Sequence, residues 1–207
     1  MISIQEWYNI INSDIQPLKD IFDRYYDGKG IVLDVGGNVG AFTDHVITKY
    51  PKTKVHLFEP VPKFTKYLIE KYTSANVKVV PKACSNITGT CKIRCDETNL
   101  GWNEISTEGY EIQTLKLDDY VYQNIKSRIS FVKIDTEFYE PFVLDGMKDY
   151  ITLTKNLPII TIEHNYDKSP YKDVQDRVFS WLFDYYELFD YKSFNHTEDI
   201  VLKPKKH

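Results

Sequence analysis

The sequence is poor in cysteine and carries no excess of positive charge. Its three cysteines, Cys84, Cys91 and Cys95, are too few for a disulfide scaffold and lack the Cys-x-x-Cys pairs of a structural zinc site. The 26 Lys and Arg residues are outnumbered by 30 Asp and Glu residues, so the net charge is −4 and no global positive field attracts nucleic acid. We therefore expect reduced thiols, a cytoplasmic protein and no nucleic-acid partner.

Long hydrophobic runs are also missing. No segment reaches the ~18 to 20 apolar residues of a membrane-spanning helix, and the N-terminus, which has no basic region and contains Glu6, does not have the pattern of a secretory signal. The 207 residues contain no internal repeat and no linker rich in Pro, Gly or Ser. We expect one domain over 1–207, with a helical N-terminal extension (1–27) and a core (28–207), in a monomer or a homodimer. The chain could equally form one domain of a longer polypeptide.

Segments with the hydrophobic pattern of strands alternate along the chain with segments that have the pattern of helices, which predicts an α/β fold. Short apolar runs, typical of strands buried on both faces, lie at 31–35, 54–58, 77–80, 130–134 and 158–162. Helical periodicity separates them, at 41–50, 62–73, 173–185 and from the fourth run to Tyr150. Strands that alternate with helices in this way predict a parallel sheet.

The remaining segments predict additions to this sheet. Residues 4–27 predict one or two helices broken at Pro17. The mixed polar segment 85–113 predicts an irregular or β-rich insert. The tail predicts a closing antiparallel pair of strands at 186–194 and 200–204.

The most informative motif lies at the end of the first predicted strand. Residues 34–40 read Asp-Val-Gly-Gly-Asn-Val-Gly at a strand-to-helix junction, where glycines allow a tight turn and the close approach of a ligand. The dinucleotide fingerprint G-x-G-x-x-G is not met, which argues against a nicotinamide cofactor. Glu59 ends the second predicted strand, 59 − 34 = 25 residues after Asp34. A carboxylate at that position can accept both hydroxyls of a ribose.

Five blocks of the sequence, in a fixed order, extend this motif. They are D-V-G-G-N-V-G (34–40), F-E-P (58–60), T-L-K-L-D-D-Y (114–120), V-K-I-D-T-E-F-Y-E-P-F-V-L-D-G-M (132–147) and P-I-I-T-I-E-H (158–164). Together, over about residues 28–165, they resemble the FkbM family of S-adenosylmethionine-dependent O-methyltransferases. The resemblance implies the class I methyltransferase fold. That fold is a Rossmann-like, seven-stranded, mostly parallel sheet with an antiparallel C-terminal strand and helices on both faces.

Carried over residue by residue, the resemblance implies a site for S-adenosyl-L-methionine. The residues expected to bind this cofactor are Asp34, Gly36, Gly37, Asn38 and Gly40 around its amino-acid part, Glu59 with Pro60 at its ribose, Ala83, Cys84 and Ser85 at its adenine, and Asp135 at the closing edge of the pocket. One position departs from the family pattern, because Phe138 stands where the family has glycine. A ring at that position would reshape the acceptor pocket.

Two mechanisms for the acceptor proton stay open. A sugar hydroxyl titrates roughly six units above histidine, so its prior deprotonation would cost about 8 kcal/mol at 1.36 kcal/mol per unit. A base could instead take the proton as the new bond forms, and Asp135, Glu163 and His164, at neighbouring strand ends, are the catalytic candidates. Alternatively, Asp135, Glu163 and the carbonyl of Asn165 could hold Mg²⁺, which prefers oxygen ligands.

Two charged residues near these candidates are interpreted as structural. Lys133, inside the fourth strand, is expected to extend its charged end to solvent. Glu140 is expected to act as an anionic group in the first turn of the following helix.

The expected function is methylation of a sugar hydroxyl within a glycan or glycoconjugate, where FkbM-like domains often act. O-methylation of a small natural product such as a polyketide is a second interpretation. Ribose 2′-O-methylation of RNA is a third, although it would need a basic groove. A cofactor-binding module without turnover is the interpretation that involves no catalysis.

Overall fold

The computed structural model describes residues 2–96, 100, 103–164, 166–194 and 197–206, with the backbone alone for 166, 190–194, 197 and 198. The helices in this part of the chain are α1 (Ile4–Asp14), α2 (Gln16–Tyr25), α3 (Ala41–Lys49), α4 (Pro62–Lys71), α5 (Leu117–Asn124), α6 (Glu140–Asp145), α7 (Lys148–Leu153) and α8 (Lys172–Leu182). The strands are β1 (Ile31–Val35), β2 (Lys54–Phe58), β3 (Val77–Val80), β4 (Ala83–Ser85), β5 (Gly89–Cys95), β6 (Asn103–Ser106), β7 (Tyr110–Lys116), β8 (Ile129–Ile134), β9 (Ile159–His164), β10 (Tyr186–Phe194) and β11 (Thr197–Pro204).

Seven strands form the main sheet, in the order β10-β11-β9-β8-β1-β2-β3. The five strands from β3 to β9 pair in parallel, whereas β11 is antiparallel to both β9 and β10. Parallel neighbours need crossover connections, and here helices provide them on both faces. The predicted mostly parallel, seven-stranded sheet with an antiparallel C-terminal strand is therefore confirmed. Residues 195–196, at the turn of the closing hairpin, lie outside the described residues.

Hydrophobic side chains cover both faces of this sheet because successive residues of a strand point to opposite faces. In β1, Val32 packs with α2 and α3 on one face, whereas Leu33 packs with α5 to α8 on the other. Two charged residues interrupt this apolar pattern, since Asp34 and Lys133 are buried and pair in register on neighbouring strands. Both are explained by the site that they support.

A second sheet, in the order β4-β7-β5-β6, forms most of the predicted insert. β5 is antiparallel to β6 and β7, and β4 is parallel to β7. Ile93 and Ile112 pack in one cluster with Val39 and Phe64, so this sheet lies against the loop that follows β1. The β-rich alternative for this segment is confirmed.

Two helical regions differ from the prediction. The helix expected to reach Tyr150 is divided into α6 and α7 at Gly146, where a Cβ atom would lie 2.0 Å from the carbonyl oxygen of Ser85. The helix α5 is absent from the prediction. Its Asp118 accepts hydrogen bonds from the backbone N–H groups of Asp149 (3.0 Å) and Tyr150 (2.8 Å), which ties α5 to the start of α7.

The N-terminal extension consists of two helices that meet at Ile15. Pro17 lies in the first turn of α2, where its missing N–H is tolerated. Ser3 caps α1: its Oγ accepts from the N–H of Glu6 (3.2 Å), and the Glu6 carboxylate accepts from the N–H of Ser3 (2.8 Å). None of the described helices combines the length and apolar character needed to cross a membrane.

Candidate functional site

A cavity of about 360 Å³ opens at the carboxyl ends of β1, β2, β8 and β9. Open α/β sheets bind their ligands at this edge, and the volume falls in the range of small-molecule sites. The predicted site residues that line it are Gly36, Gly37, Asn38, Glu59, Pro60, Ala83, Cys84, Asp135 and Glu163. The other predicted site residues, Asp34, Gly40, Ser85 and His164, lie outside this lining.

Gly36 lets the ends of β1 and β8 approach each other. Its φ is +78°, and a Cβ atom on it would lie 1.8 Å from the carbonyl oxygen of Asp135. The backbone N–H of Asp135 in turn donates to the carbonyl of Val35 (3.1 Å). A side chain at this glycine would push Asp135 away from the loop, so the residue sets the width of the cavity at this point.

Glu59 is held in place by the loop that it faces. Its two carboxylate oxygens accept hydrogen bonds from the backbone N–H groups of Asn38 (2.8 Å) and Val61 (2.8 Å). Burial raises the pKa of Glu59 to about 7, although these two hydrogen bonds act to lower it. Asn38 adopts the left-handed conformation, with φ +49°, which asparagine tolerates better than most residues. These contacts fix the Glu59 carboxylate at the carboxyl end of β2, where it can accept hydrogen bonds from a ligand.

Lys133 is a buried cation between two carboxylates. Its Nζ lies 3.1 Å from Asp135 and 3.5 Å from Asp34, and it donates to the carbonyl of Gly36 (2.5 Å). Burial acts to lower the pKa of Lys133, but the two carboxylates outweigh it and raise that pKa. The expectation that this side chain extends to solvent is wrong, because the lysine lies on the face covered by α2 and α3 and finds its partners there.

Three carboxylates form a row across neighbouring strands. The register Ile134↔Ile162 of β8 and β9 brings Asp135 beside Glu163, and Asp199 of β11 pairs directly with Glu163. Asp135, Glu163 and Glu137 each offer an oxygen that lies within 4.8 Å of the others. All four acidic residues line the cavity.

The crowding of these acids changes their protonation. Burial, followed by repulsion from Asp135 and Glu140, raises the pKa of Glu137 to about 8. Burial and then Asp135 raise the pKa of Asp199 to about 6, and the same causes, with Glu137, raise the pKa of Glu163 well above its ordinary value. A raised pKa makes the ionised form of such an acid a stronger base than an ordinary carboxylate.

The loop that carries Glu137 is strained. Glu137 and Phe138 both have positive φ angles, +53° and +72°. Phe138 occupies the position where the resembling family has glycine, and its left-handed backbone explains that preference. Glu140 fixes the loop, because its carboxylate accepts from the N–H (2.6 Å) and the hydroxyl (2.9 Å) of Thr136. This agrees with the structural interpretation of Glu140.

His164 is not brought together with the carboxylates. It follows Glu163 in β9, so its side chain points to the opposite face of the sheet. There the ring nitrogens lie 3.2 and 3.3 Å from the Gln175 amide nitrogen, and the ring lies 5.6 Å from that of Phe179. His164 lines a small second cavity, to which Glu140 and Glu163 also contribute. Asn165, the other expected oxygen donor, lies outside the described residues.

The three other residues outside the lining make hydrogen bonds with elements that surround the cavity. Asp34 accepts from the hydroxyl of Thr43 at the start of α3 (2.7 Å). Gly40 precedes the same helix with φ +80°, and its carbonyl accepts from the Tyr72 hydroxyl (2.8 Å). The Ser85 hydroxyl lies 3.2 Å from that of Tyr139, a residue of the cavity wall.

Several residues of the site were not among the sequence candidates. Asp199 could have been found only by counting the register of the closing hairpin. Glu137 is visible in the Asp-Thr-Glu block, yet its position depends on the left-handed turn. Four residues of the N-terminal helices also line the cavity, and no sequence motif marks them: Ile11, Asp14, Ile15 and Leu18.

The sequence is similar to that of known methyltransferases. The family model described as "Methyltransferase FkbM domain" matches residues 34–193. "Methyltransferase 1" of Beauveria bassiana (strain ARSEF 2860) is 27% identical over 165 residues, covering 63% of this chain and 66% of its own length. "Hexuronic acid methyltransferase AglP" of Haloferax volcanii is 28% identical over 141 residues, covering 66% of this chain and 57% of its own length. The matches thus span only part of both curated relatives.

A solved structure shares the fold. The precorrin-6y C5,15-methyltransferase of Geobacter metallireducens GS-15 superimposes with a TM-score of 0.54 over 92% of this chain and 89% of that chain, at 10% identity. At this identity the likeness concerns the fold alone, and it confirms the class I, Rossmann-like methyltransferase architecture. The family model extends from β1 to β10 and so spans most of the chain. This protein therefore belongs to the FkbM-domain methyltransferase family.

Proposed function

We propose that the chain is an S-adenosyl-L-methionine-dependent O-methyltransferase that acts on a sugar hydroxyl of a glycan or glycoconjugate. The observation that carries the proposal is the continuity of one cavity, which runs from Glu59 and the glycine loop to Asp135 and Glu163. One end offers groups for a nucleoside and the other offers groups for an acceptor proton. Family membership supports methyl transfer as the reaction.

The cofactor end has the donor and acceptor groups that this nucleoside needs. Each oxygen of Glu59 accepts one backbone N–H, which leaves further lone pairs for the two ribose hydroxyls. When bound, the cofactor supplies a methyl carbon attached to a positively charged sulfur. The carboxylate of Asp135 lines the adjacent part of the cavity, and its negative charge suits this positive sulfur.

The acceptor end supplies a base. Displacement at a methyl carbon depends mostly on alignment, and the remaining barrier is the proton of the acceptor hydroxyl. A carboxylate is ordinarily a weak base, but burial raises the pKa of Glu137 to about 8 and raises that of Glu163 well above its ordinary value. The ionised form of either group can take the proton while the carbon–oxygen bond forms. His164, on the opposite face, would need a rearrangement of β9 to reach it.

A metal ion is the alternative at the same place. The oxygens of Asp135, Glu137 and Glu163 form a donor set of the kind that Mg²⁺ prefers. An ion held by them would lower the pKa of an acceptor hydroxyl. Chelation separates the two mechanisms: full activity in EDTA contradicts a metal requirement, whereas loss of activity that added Mg²⁺ restores supports one.

The charge of the cavity bears on the acceptor. A hexuronic acid methyltransferase among the relatives supports a sugar. The cations of the lining are Lys82 and Lys133, and Lys133 is already paired with Asp135. Five acidic residues other than Glu59 also line this cavity, namely Asp14, Asp135, Glu137, Glu163 and Asp199. Those acids that are ionised repel a uronate, so we expect neutral sugars to be preferred to uronic acids.

The direct test is incubation with methyl-labelled cofactor and a panel of neutral, deoxy- and uronic-acid glycans. Label on a neutral sugar oxygen is the expected result. In parallel, calorimetry should show that Glu59→Gln weakens cofactor binding by about tenfold or more, because an amide cannot accept as a carboxylate does. Glu70→Gln, at an exposed site on α4, is the matched control. Unchanged affinity in Glu59→Gln would remove the ribose assignment.

Two other functions are distinguished by the same panel. Apolar residues of the wall, Ile11, Ile15 and Phe42, favour a small natural product such as a polyketide as a second candidate acceptor. Methylation of such compounds without methylation of any glycan would support that candidate. Cofactor binding without transfer to any acceptor would instead support a binding module.

A further inference from the structure

We infer that Trp7 positions Asn38 for cofactor binding. The helix α1, which carries Trp7, would then form a functional part of the cofactor site. The inference rests on the proposed function, because it concerns how the same cofactor is held. The family model begins at residue 34, so Trp7 lies outside the part of the chain that the family pattern describes. The role of Trp7 is therefore argued from the contacts that α1 makes in this structure.

The link is a hydrogen bond across 31 residues of sequence. The indole Nε1–H of Trp7 donates to Oδ1 of Asn38 at 3.0 Å. An indole nitrogen is a donor only, so it holds the amide of Asn38 with its oxygen toward α1. The Nδ2 end, with its two N–H groups, is then the end left to donate to a ligand in the cavity that Asn38 lines. Without the indole, the amide is free to turn over.

The same residue connects Trp7 to Glu59. Asn38 is in the left-handed conformation, and there its backbone N–H donates to the Glu59 carboxylate at 2.8 Å. A side-chain hydrogen bond that stabilises Asn38 in this conformation therefore also stabilises the acceptor for the ribose. Trp7 acts through Asn38 and is a positioning residue.

α1 is attached weakly enough for this bond to matter. It contains no buried residue, although Trp7, Tyr8 and Ile11 pack partly against the cluster around Val39. Besides the indole bond, two polar contacts hold it. The Lys71 ammonium lies 4.4 Å from the centre of the Tyr8 ring, and Lys19 of α2 donates to the backbone carbonyl (2.5 Å) and the Oδ1 atom (2.8 Å) of Asn12. Helices with few buried contacts open at low free energy. Binding of the cofactor and docking of α1 should therefore be coupled in both directions.

A double-mutant cycle tests this chain of contacts. Calorimetry with S-adenosylhomocysteine should show that Trp7→Phe, which keeps a ring but removes the N–H, raises the Kd by about five- to tenfold. Asn38→Gly removes the amide without straining the backbone. In that background Trp7→Phe should change the Kd no further, whereas a packing role of the ring would cost the same in both backgrounds. Trp181→Phe, on α8, is the control and should leave the Kd unchanged.

Hydrogen exchange on the wild-type protein provides a test that needs no variant. Saturation with S-adenosylhomocysteine should slow exchange of the α1 amides (4–14), because a ligand that binds more tightly when α1 is docked also stabilises the docked helix. Unchanged exchange in α1, or equal effects of Trp7→Phe in both backgrounds, would overturn the inference. A wild-type chain that binds neither the cofactor nor S-adenosylhomocysteine would instead contradict the proposed function itself.

Discussion

At the scale of single residues, Lys133 shows why a charge can be needed inside a sheet. Its ammonium is the ion-pair partner of Asp34, whose Oδ1 makes no hydrogen bond and whose side chain is fully buried. Removing one member of a buried pair leaves the other charge uncompensated, which typically costs about 3 to 5 kcal/mol. The sequence alone could not reveal this, because a lysine in an apolar strand is more often a side chain that reaches solvent.

We expect Lys133→Met to lower the free energy of unfolding by about 3 kcal/mol or more, as measured by urea denaturation. Lys54→Met, at an exposed position on β2 of the same sheet, is the control and should change it by less than about 0.5 kcal/mol. Asp34→Asn should recover part of the loss in the Lys133→Met background. Equal effects of the two lysine substitutions would show that the buried pair contributes nothing.

Phe138 allows a second residue-scale prediction, because its backbone is left-handed with φ +72°. Phe138→Ala and Phe138→Gly both remove the ring, and they differ only by a Cβ atom that is disfavoured at this φ. The glycine variant should therefore be more stable than the alanine variant by about 1 kcal/mol, the reverse of the order expected in a helix. Thermal and urea unfolding of the two variants measure the difference. An alanine variant of equal or higher stability would mean that the loop relaxes to a different conformation.

At the scale of elements, hydrophobic patterning predicted β1, β2 and β3 with the bounds that the structure has. It worked there because strands buried on both faces are short apolar runs between breakers. It failed for α5 and for the break between α6 and α7, since both depend on contacts distant in sequence, such as the carbonyl of Ser85 against Gly146. Asp135 and Glu163 could be predicted as neighbours from strand ends. That His164 lies apart from them could also have been predicted, because successive side chains of a strand point to opposite faces and His164 directly follows Glu163.

Asp118 illustrates such a distant contact and leads to a prediction at this scale. It lies in the first turn of α5 yet caps α7 by accepting from two backbone N–H groups. Asp118→Ala should lower the free energy of unfolding by about 1 to 2 kcal/mol, the usual loss for a helix cap. Asp119→Ala, the exposed neighbour on the same helix, should have little effect on urea denaturation. If the two aspartates proved equivalent, the cap would not be a stabilising contact.

At the scale of the whole molecule, the topology gathers acids from distant parts of the chain at one sheet edge. Parallel β1, β2, β8 and β9 all end there. The strand β11 is antiparallel to β9 and therefore begins at this edge, where its Asp199 pairs with Glu163. The folded state therefore contains acids whose pKa values lie above their ordinary range: about 7 for Glu59 and Glu140, and about 8 for Glu137. Each is raised chiefly by burial.

These shifts make stability depend on pH with a definite sign. An acid whose pKa is raised on folding binds more protons in the folded state, so stability falls as pH rises toward that pKa. Between pH 6.5 and 8.5 we expect the free energy of unfolding to decrease, with Glu59 alone contributing on the order of 1 kcal/mol at 1.36 kcal/mol per unit. The pKa of His56, lowered by burial to about 4 from 6.5, opposes this only at lower pH. Urea denaturation across this range measures the slope, and Glu137→Gln should make it shallower above pH 7. A stability that stays level or rises with pH would contradict the picture of protonated acids at the sheet edge.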